Sequence, residues 1–335
     1  MNDDQQPDEA HGGGPQSDGW HPDVLGDGWV ARTLDLEPDA EGEVVATLVR
    51  RAGTPGARRA VLYVHGFVDY FFQTHLAEQV AAHGYDFYAL DLRKYGRSLR
   101  DHQTPNYVPE LADYAEELDR SAQIIRTDEG HTELVVLGHS TGGLVTSLWA
   151  DARNRTAEHP VVDALVLNSP WFDLNESWFH RVVATRVIDL LGPLAPMAVV
   201  GRLQPHYGRA LHTGTGGEWD YDLAWKPLDG FPVRAGWLRA IRRGHARVAR
   251  GLAITCPVLV LTSAESGSAK TFHDALDTTD SVLDVEQTRA RAQGLGTDVT
   301  VVRIYGGAHD LTLSPEPARS AFFAEMFAWL ANRQA

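Results

Sequence analysis

Five residues, Gly138-His139-Ser140-Thr141-Gly142, constrain this chain more than any other feature. The pattern G-x-S-x-G recurs by chance, so its flanks decide its weight. Glu133 to Leu137 is an apolar, β-branched run leading straight into it, and Gly142-Gly143-Leu144 opens a helical stretch reaching Arg153. A strand that becomes a helix so abruptly needs a tight, strained turn. Glycines at 138 and 142 keep the strand and helix from clashing there. The serine hydroxyl is then presented at the tip of a sheet, beside a helix N-terminus whose partial positive charge favours an anion. The plainer alternative is a glycine-rich loop in which Ser140 or Thr141 only caps a helix.

The rest of the chain alternates in the same way. Short apolar runs at Ala60–Val64, Phe87–Leu90, Leu134–Leu137, Val162–Leu167, Pro257–Leu261 and Val299–Ile304 read as strands. Helical periodicity fills Phe71–His83, Tyr107–Thr127, Gly142–Arg153 and Pro317–Asn332 between and after them. Continuous apolar strands separated by helices predict an α/β fold with a mostly parallel central sheet covered on both faces. Trp29–Leu36 and Glu43–Arg50, split by the turn-like Glu37 to Gly42, predict an antiparallel hairpin at one edge.

Two segments break the alternation. Residues 1–22 are polar and rich in Gly, Asp and Gln, which predicts a disordered tail. Residues 171–253 show helical periodicity and many aromatics but no clear strand. They predict an inserted helical cap over the carboxyl ends of the strands, where open α/β sheets bind ligands. The core is then 23–170 with 254–335. Trp171, Trp178 and Trp219 are the cap aromatics picked out as substrate-binding candidates; the alternative is that they fill a small second core.

Composition excludes several partners. A formal net charge of −15 disfavours nucleic acid and anionic membrane surfaces. No apolar stretch approaches the roughly 20 residues that span a bilayer, so no stable membrane insertion is expected. The N-terminal residues lack the basic and apolar regions of a secretory signal, so the expected location is cytoplasmic. One cysteine, Cys256, rules out an internal disulfide. The histidines show no metal-ligand spacing, and Gly214-Thr215-Gly216-Gly217 lacks the lysine and strand context of a phosphate loop. Neither metal nor cofactor is expected. Oligomeric state is not encoded in any pattern here.

Serine is a weak nucleophile and needs a positioned base. In strand–turn–helix sites of this kind the acid and then the histidine follow the serine along the chain. Among fifteen histidines, His309 alone lies in a glycine-flanked loop, Gly306-Gly307-Ala308-His309-Asp310, directly after the last strand. The acid should follow the strand Pro257–Leu261. Asp280 is the first choice, with room for a helix and a strand before His309; Glu265 and Asp284 are the alternatives. An oxyanion needs two donors. The backbone N–H groups of Thr141 and of Phe67, in the loop His65-Gly66-Phe67, are the candidates, and His65 is expected to anchor that loop.

His65-Gly66-Phe67, Asp91 to Ser98, Gly138 to Gly142, Asp280 to Asp284 and Gly307-Ala308-His309 form an ordered set across most of the chain. With this set the chain resembles the monoacylglycerol lipase and lysophospholipase-like (serine aminopeptidase-type) group of α/β-hydrolases. The resemblance implies a Ser140–Asp280–His309 triad, a cap that shapes the acyl pocket, and cofactor-free hydrolysis of a small-molecule ester. That ester would be a monoglyceride, a lysophospholipid, or another apolar acyl or aryl ester or lactone. Aminopeptidase or amidase chemistry is the alternative, with Glu218, Asp220 or Asp222 as an anchor for an amine; a non-catalytic binding protein is the third reading. The chain departs from the group at Lys94-Tyr95, where Gly-His is usual. It also departs at Val68, where a second glycine is usual, and in an insertion, Ser263 to Thr279, ahead of the acid.

Overall fold

The computed structural model describes residues 19–51, 58–155, 160–175, 189 and 192–333. The strands, in chain order, are β1 (His21–Pro22), β2 (Trp29–Asp39), β3 (Gly42–Arg51), β4 (Arg59–Val64), β5 (Asp86–Asp91) and β6 (Glu133–His139). They continue with β7 (Ala164–Asn168), β8 (Val199–Gly201), β9 (Val233–Arg234), β10 (Val258–Ser263) and β11 (Val299–Ile304). Nine of them form one sheet in the order β1-β2-β3-β5-β4-β6-β7-β10-β11. From β5 to β11 every neighbour is parallel, while β1, β2 and β3 form an antiparallel edge. This is the expected sheet with its hairpin at one end.

The pleat explains why the central strands are apolar throughout. Alternate residues of a strand face opposite sides. Ala60, Leu62, Val64, Leu134 and Val136 pack into one core. Val61, Tyr63, Val135 and Leu137 pack into the other. The helices are α1 (Thr74–Ala82), α2 (Ala115–Gln123), α3 (Thr141–Asn154), α4 (His206–Leu211), α5 (Ala235–Ala249), α6 (Val285–Ala292) and α7 (Ala318–Ala331). The first core takes Leu118 of α2, Leu144 and Trp149 of α3, and Trp237 and Ile241 of α5. The second takes Leu76 and Val80 of α1 and Phe322, Met326 and Leu330 of α7. Helices therefore cover both faces. Emptying one such position to alanine typically costs about 2–5 kcal/mol.

Three expectations are corrected in detail. The helix expected over Tyr107–Thr127 is three pieces: a 3₁₀ turn at Leu111–Tyr114, α2, and a wider π turn at Ile124–Asp128. The periodicity carries across all three, because each buries the same side against the sheet. Residues 171–253 are not free of strands: β8 and β9 pair as a two-stranded ribbon. They are too short to leave a period in the sequence. The tail expected to be disordered through residue 22 has defined structure in its last residues. His21 and Pro22 pair with Ala31 and Val30, and the Trp20 indole N–H donates to Glu129. Residues 1–18 lie outside the described residues.

The crossing of α3 over the sheet depends on Gly142. A methyl group there would sit 2.3 Å from the His65 carbonyl oxygen and 2.4 Å from that of Val64. Both obstacles are backbone and cannot swing aside. Gly142→Ala is expected to lose about 3 kcal/mol of stability, read as a lower urea midpoint at unchanged slope.

Candidate active site

Ser140 occupies the single-residue turn between β6 and α3, with φ 52° and ψ −115°. A non-glycine residue in that region is strained and persists only where its surroundings fix it. Here the surroundings do so on both sides. Ser140 N–H donates to the Asn168 carbonyl at 3.0 Å, and Trp171 N–H donates to the Ser140 carbonyl at 2.9 Å. The end of β7 therefore holds the serine backbone.

The Ser140 Oγ lies 3.0 Å from His309 Nε2. His309 Nδ1 lies 3.0 and 3.1 Å from the two carboxylate oxygens of Asp280. All three side chains are buried. An ionised carboxylate only accepts, so the proton of a neutral His309 belongs on Nδ1, leaving Nε2 to accept from the serine. Asp280 is itself oriented: Oδ1 accepts from Val282 N–H at 3.0 Å and Leu283 N–H at 2.8 Å.

The two alternative acids stand elsewhere. Glu265 is exposed, and its backbone carbonyl accepts from Asp280 N–H at 3.0 Å. Asp284 caps α6, accepting from Glu286 and Gln287 N–H at 3.0 and 3.1 Å. The insertion before Asp280 folds back so that Gly267 N–H donates to the Asp280 carbonyl at 2.7 Å. The extra residues are thus looped out while Asp280 returns to the strand end.

The loop after β4 lies against the serine. A methyl group on Gly66 would come 3.1 Å from Ser140 Cβ, so glycine allows this approach. His65 anchors the loop: it accepts from Leu92 N–H at Nε2, 3.1 Å, and donates from Nδ1 to the Gly66 carbonyl, 2.8 Å. Burial holds this histidine below its usual pKa, so it is neutral, as that pattern requires. The Phe67 ring stacks on Trp237 of α5 at 4.1 Å. Val68 has φ 52°, a conformation costing a β-branched residue about 1–2 kcal/mol.

Asn168 escaped the sequence reading. Its carbonyl holds Ser140, while its side chain donates to Asp310 Oδ1 at 2.7 Å and accepts from Leu311 N–H at 3.2 Å. One residue ties the serine turn to the His309 loop. The only trace in sequence is a polar residue closing an apolar strand.

Ser140, Thr141, Phe67 and His309 open onto a cavity of about 920 Å³. Trp171, Leu211 and Leu228 add apolar walls, and Gly267 to Lys270 of the insertion form part of the rim. Trp171, expected to bind substrate, lines this cavity. Trp219 does not: its indole N–H donates to the Leu313 carbonyl at 2.9 Å, and its ring stacks on His75 at 4.6 Å, away from this cavity. Composition marked it as aromatic cap, but only the fold gives its direction. Trp178 lies outside the described residues. Asp69, His139 and Asp310 bring possible ligand atoms within 4.8 Å of one another, a cluster that linear spacing hides. The Lys226 ammonium, 2.5 Å from Asp69 Oδ1, already supplies a cation there.

The sheet order, the strained serine turn and the histidine loop after the last strand define an α/β-hydrolase. The family profile described as Serine aminopeptidase, S33 matches residues 55–316, and the chain belongs to that family. Solved structures agree in fold. A soluble variant of monoglyceride lipase from Saccharomyces cerevisiae, in complex with a substrate analogue, aligns with TM-score 0.65 at 14% identity, covering 90% of this chain and 96% of that one. Paleococcus ferrophilus monoacylglycerol lipase aligns with TM-score 0.59 at 17% identity, over 84% and 96%. A thermostable carboxyl esterase from Bacillus coagulans aligns with TM-score 0.63 at 13% identity, over 90% and 98%. Among the described residues, no helix is long and apolar enough to cross a membrane.

Proposed function

We propose that this chain hydrolyses carboxylic esters through an acyl-enzyme on Ser140. The observation that carries the reading is the continuous chain from Ser140 Oγ through His309 to Asp280, with both links at 3.0 Å, opening on a cavity. Ser140 attacks the ester carbonyl while His309 Nε2 takes its proton. Asp280 holds the imidazole and offsets the charge of the imidazolium. The N–H groups of Phe67 and Thr141 receive the oxyanion; one such donor is typically worth about 3 kcal/mol. His309 then protonates the leaving alcohol. It next activates the water that releases the acyl group.

The apolar walls of the cavity suit an acyl, aryl or lactone substrate with a small polar end. The monoglyceride lipases and the esterase that share the fold support this class. The family description favours a second reading, aminopeptidase chemistry. That reaction needs a carboxylate facing the cavity to hold the substrate amine. Glu218 instead pairs with Arg319, Asp220 is exposed, and neither they nor Asp222 line the cavity. Among the described residues, the two carboxylates that do line it, Asp69 and Asp284, are committed to Lys226 and to the α6 cap. The ester reading is therefore preferred.

The test is a panel of p-nitrophenyl esters from acetyl to palmitoyl, a monoglyceride and an aminoacyl anilide. Turnover of esters is expected; cleavage of the anilide with silence on every ester would reverse the choice. Within the panel, Trp171→Ala is expected to raise KM about tenfold for the best ester, through lost aromatic contact. Trp219→Ala should leave KM within about twofold. Equal effects of the two would contradict the assignment of the cavity.

A further inference from the structure

The reaction above leaves one buried group of charges without a task. Asp69 follows the Phe67 loop, His139 precedes Ser140, and Asp310 follows His309. All three are buried. Lys226 reaches in from the segment between β7 and β10, with its ammonium 2.5 Å from Asp69 Oδ1.

Both carboxylates are held as anions by their donors. Asp69 faces the ammonium. Asp310 Oδ1 accepts from Asn168 Nδ2 at 2.7 Å, Thr312 N–H at 2.9 Å and Thr312 Oγ1 at 2.7 Å. Two buried anions against one ammonium leave one negative charge uncompensated, which is costly. The neighbouring groups do not supply the missing charge. Burial keeps His65 neutral, and burial holds the Tyr63 and Tyr207 hydroxyls protonated. Asp91, next to His65, is paired with Arg97.

His139 is placed to supply it. Its Nδ1 lies 3.6 Å from Asp69 Oδ2 and 3.8 Å from Asp310 Oδ2. Neither of its ring nitrogens, nor Asp69 Oδ2, has a hydrogen-bond partner. Burial works against a charge on His139, but the Asp310 and Asp69 carboxylates outweigh it and raise its pKa. Asp69 is in turn held far below the ordinary carboxylate range: burial opposes this, and Lys226 and then His139 overcome it.

The ring also stands where a positive charge would act. A methyl group on Gly66 would be 3.1 Å from Ser140 Cβ and 3.2 Å from His139 Nδ1. Gly66 of the oxyanion loop thus packs against both the serine and this imidazole. The His139 and His309 rings are 5.1 Å apart.

We propose that His139 is a positioning residue, held as an imidazolium by Asp69 and Asp310 against Gly66 of the oxyanion loop, with Lys226 completing a neutral buried set. The inference rests on the reading of Ser140 as nucleophile. The charge favours the anion that forms at the serine. Because the His139 pKa is raised, the imidazolium persists above the usual histidine range and is lost as pH rises through the raised value. Activity should therefore fall on the alkaline side.

The rate at which a fluorophosphonate labels the full-length protein, followed from acid to alkaline pH, reads this without a known substrate. His139→Gln is expected to label about tenfold more slowly and to lose the alkaline fall. Asp69→Asn removes an anion, so the alkaline limb moves to lower pH. Lys226→Met removes a cation, so that limb moves to higher pH. Opposite shifts cannot come from a general loosening of the fold, and they decide the matter if His139→Gln does not fold. Labelling of His139→Gln within twofold of the parent, or limbs unmoved in both other variants, would overturn the inference while leaving Ser140 as nucleophile. A parent protein that is folded yet never labelled would overturn the nucleophile as well.

Discussion

Ser140→Ala lowers the turnover of the best ester by about 10⁶-fold, as loss of the nucleophile does in serine hydrolases. Thermal stability moves little. The hydroxyl makes one hydrogen bond, to His309 Nε2. Alanine keeps the Cβ and the same strained φ of 52°, so the turn is neither relieved nor worsened. The residual rate reflects oxyanion donors and substrate binding, which the substitution leaves in place. A variant that retains a tenth of parental kcat would mean that another group attacks the carbonyl.

Asp280→Asn lowers kcat by about 10⁴-fold with KM nearly unchanged. Asparagine keeps an oxygen for Val282 and Leu283 N–H, which hold Asp280 Oδ1 at 3.0 and 2.8 Å. The turn therefore survives. Its amide nitrogen, however, is a donor facing His309 Nδ1. The imidazole is driven to the other tautomer, with its proton on Nε2, and can no longer accept from Ser140. The imidazolium also loses its counter-charge. Glu265→Gln and Asp284→Asn, assayed beside it, should keep kcat within about threefold, since an asparagine caps a helix nearly as well as an aspartate. A large loss in either, with Asp280→Asn active, would move the acid.

The parts of the fold legible in the sequence are those where every residue of a segment is under one constraint. β4, β6 and β10 are buried on both faces, so each reads as an unbroken apolar run. The Ser140 turn is legible because steric crowding demands glycine at 138 and 142 at once. Asp280 is less so. The insertion before it moves it away from the strand it serves, and only the backbone bonds from Gly267 and Val282 show how the chain returns. Trp219 illustrates the limit of composition: an aromatic in the segment after β7 can face the cavity, as Trp171 does, or an outer face against His75. The Asp69, His139, Asp310 and Lys226 cluster is invisible along the chain, because each member comes from a different segment: three from loops and His139 from the end of β6. His139 and Asp310 stood beside Ser140 and His309 in view, but nothing in one sequence says that both turn toward Asp69.

The most direct test of the account is peptide mapping of the adduct formed when the protein meets a fluorophosphonate. A single adduct on Ser140, absent from Ser140→Ala and slowed in Asp280→Asn, is the predicted result. An adduct on another residue, or none while the folded protein still turns over esters, would contradict it.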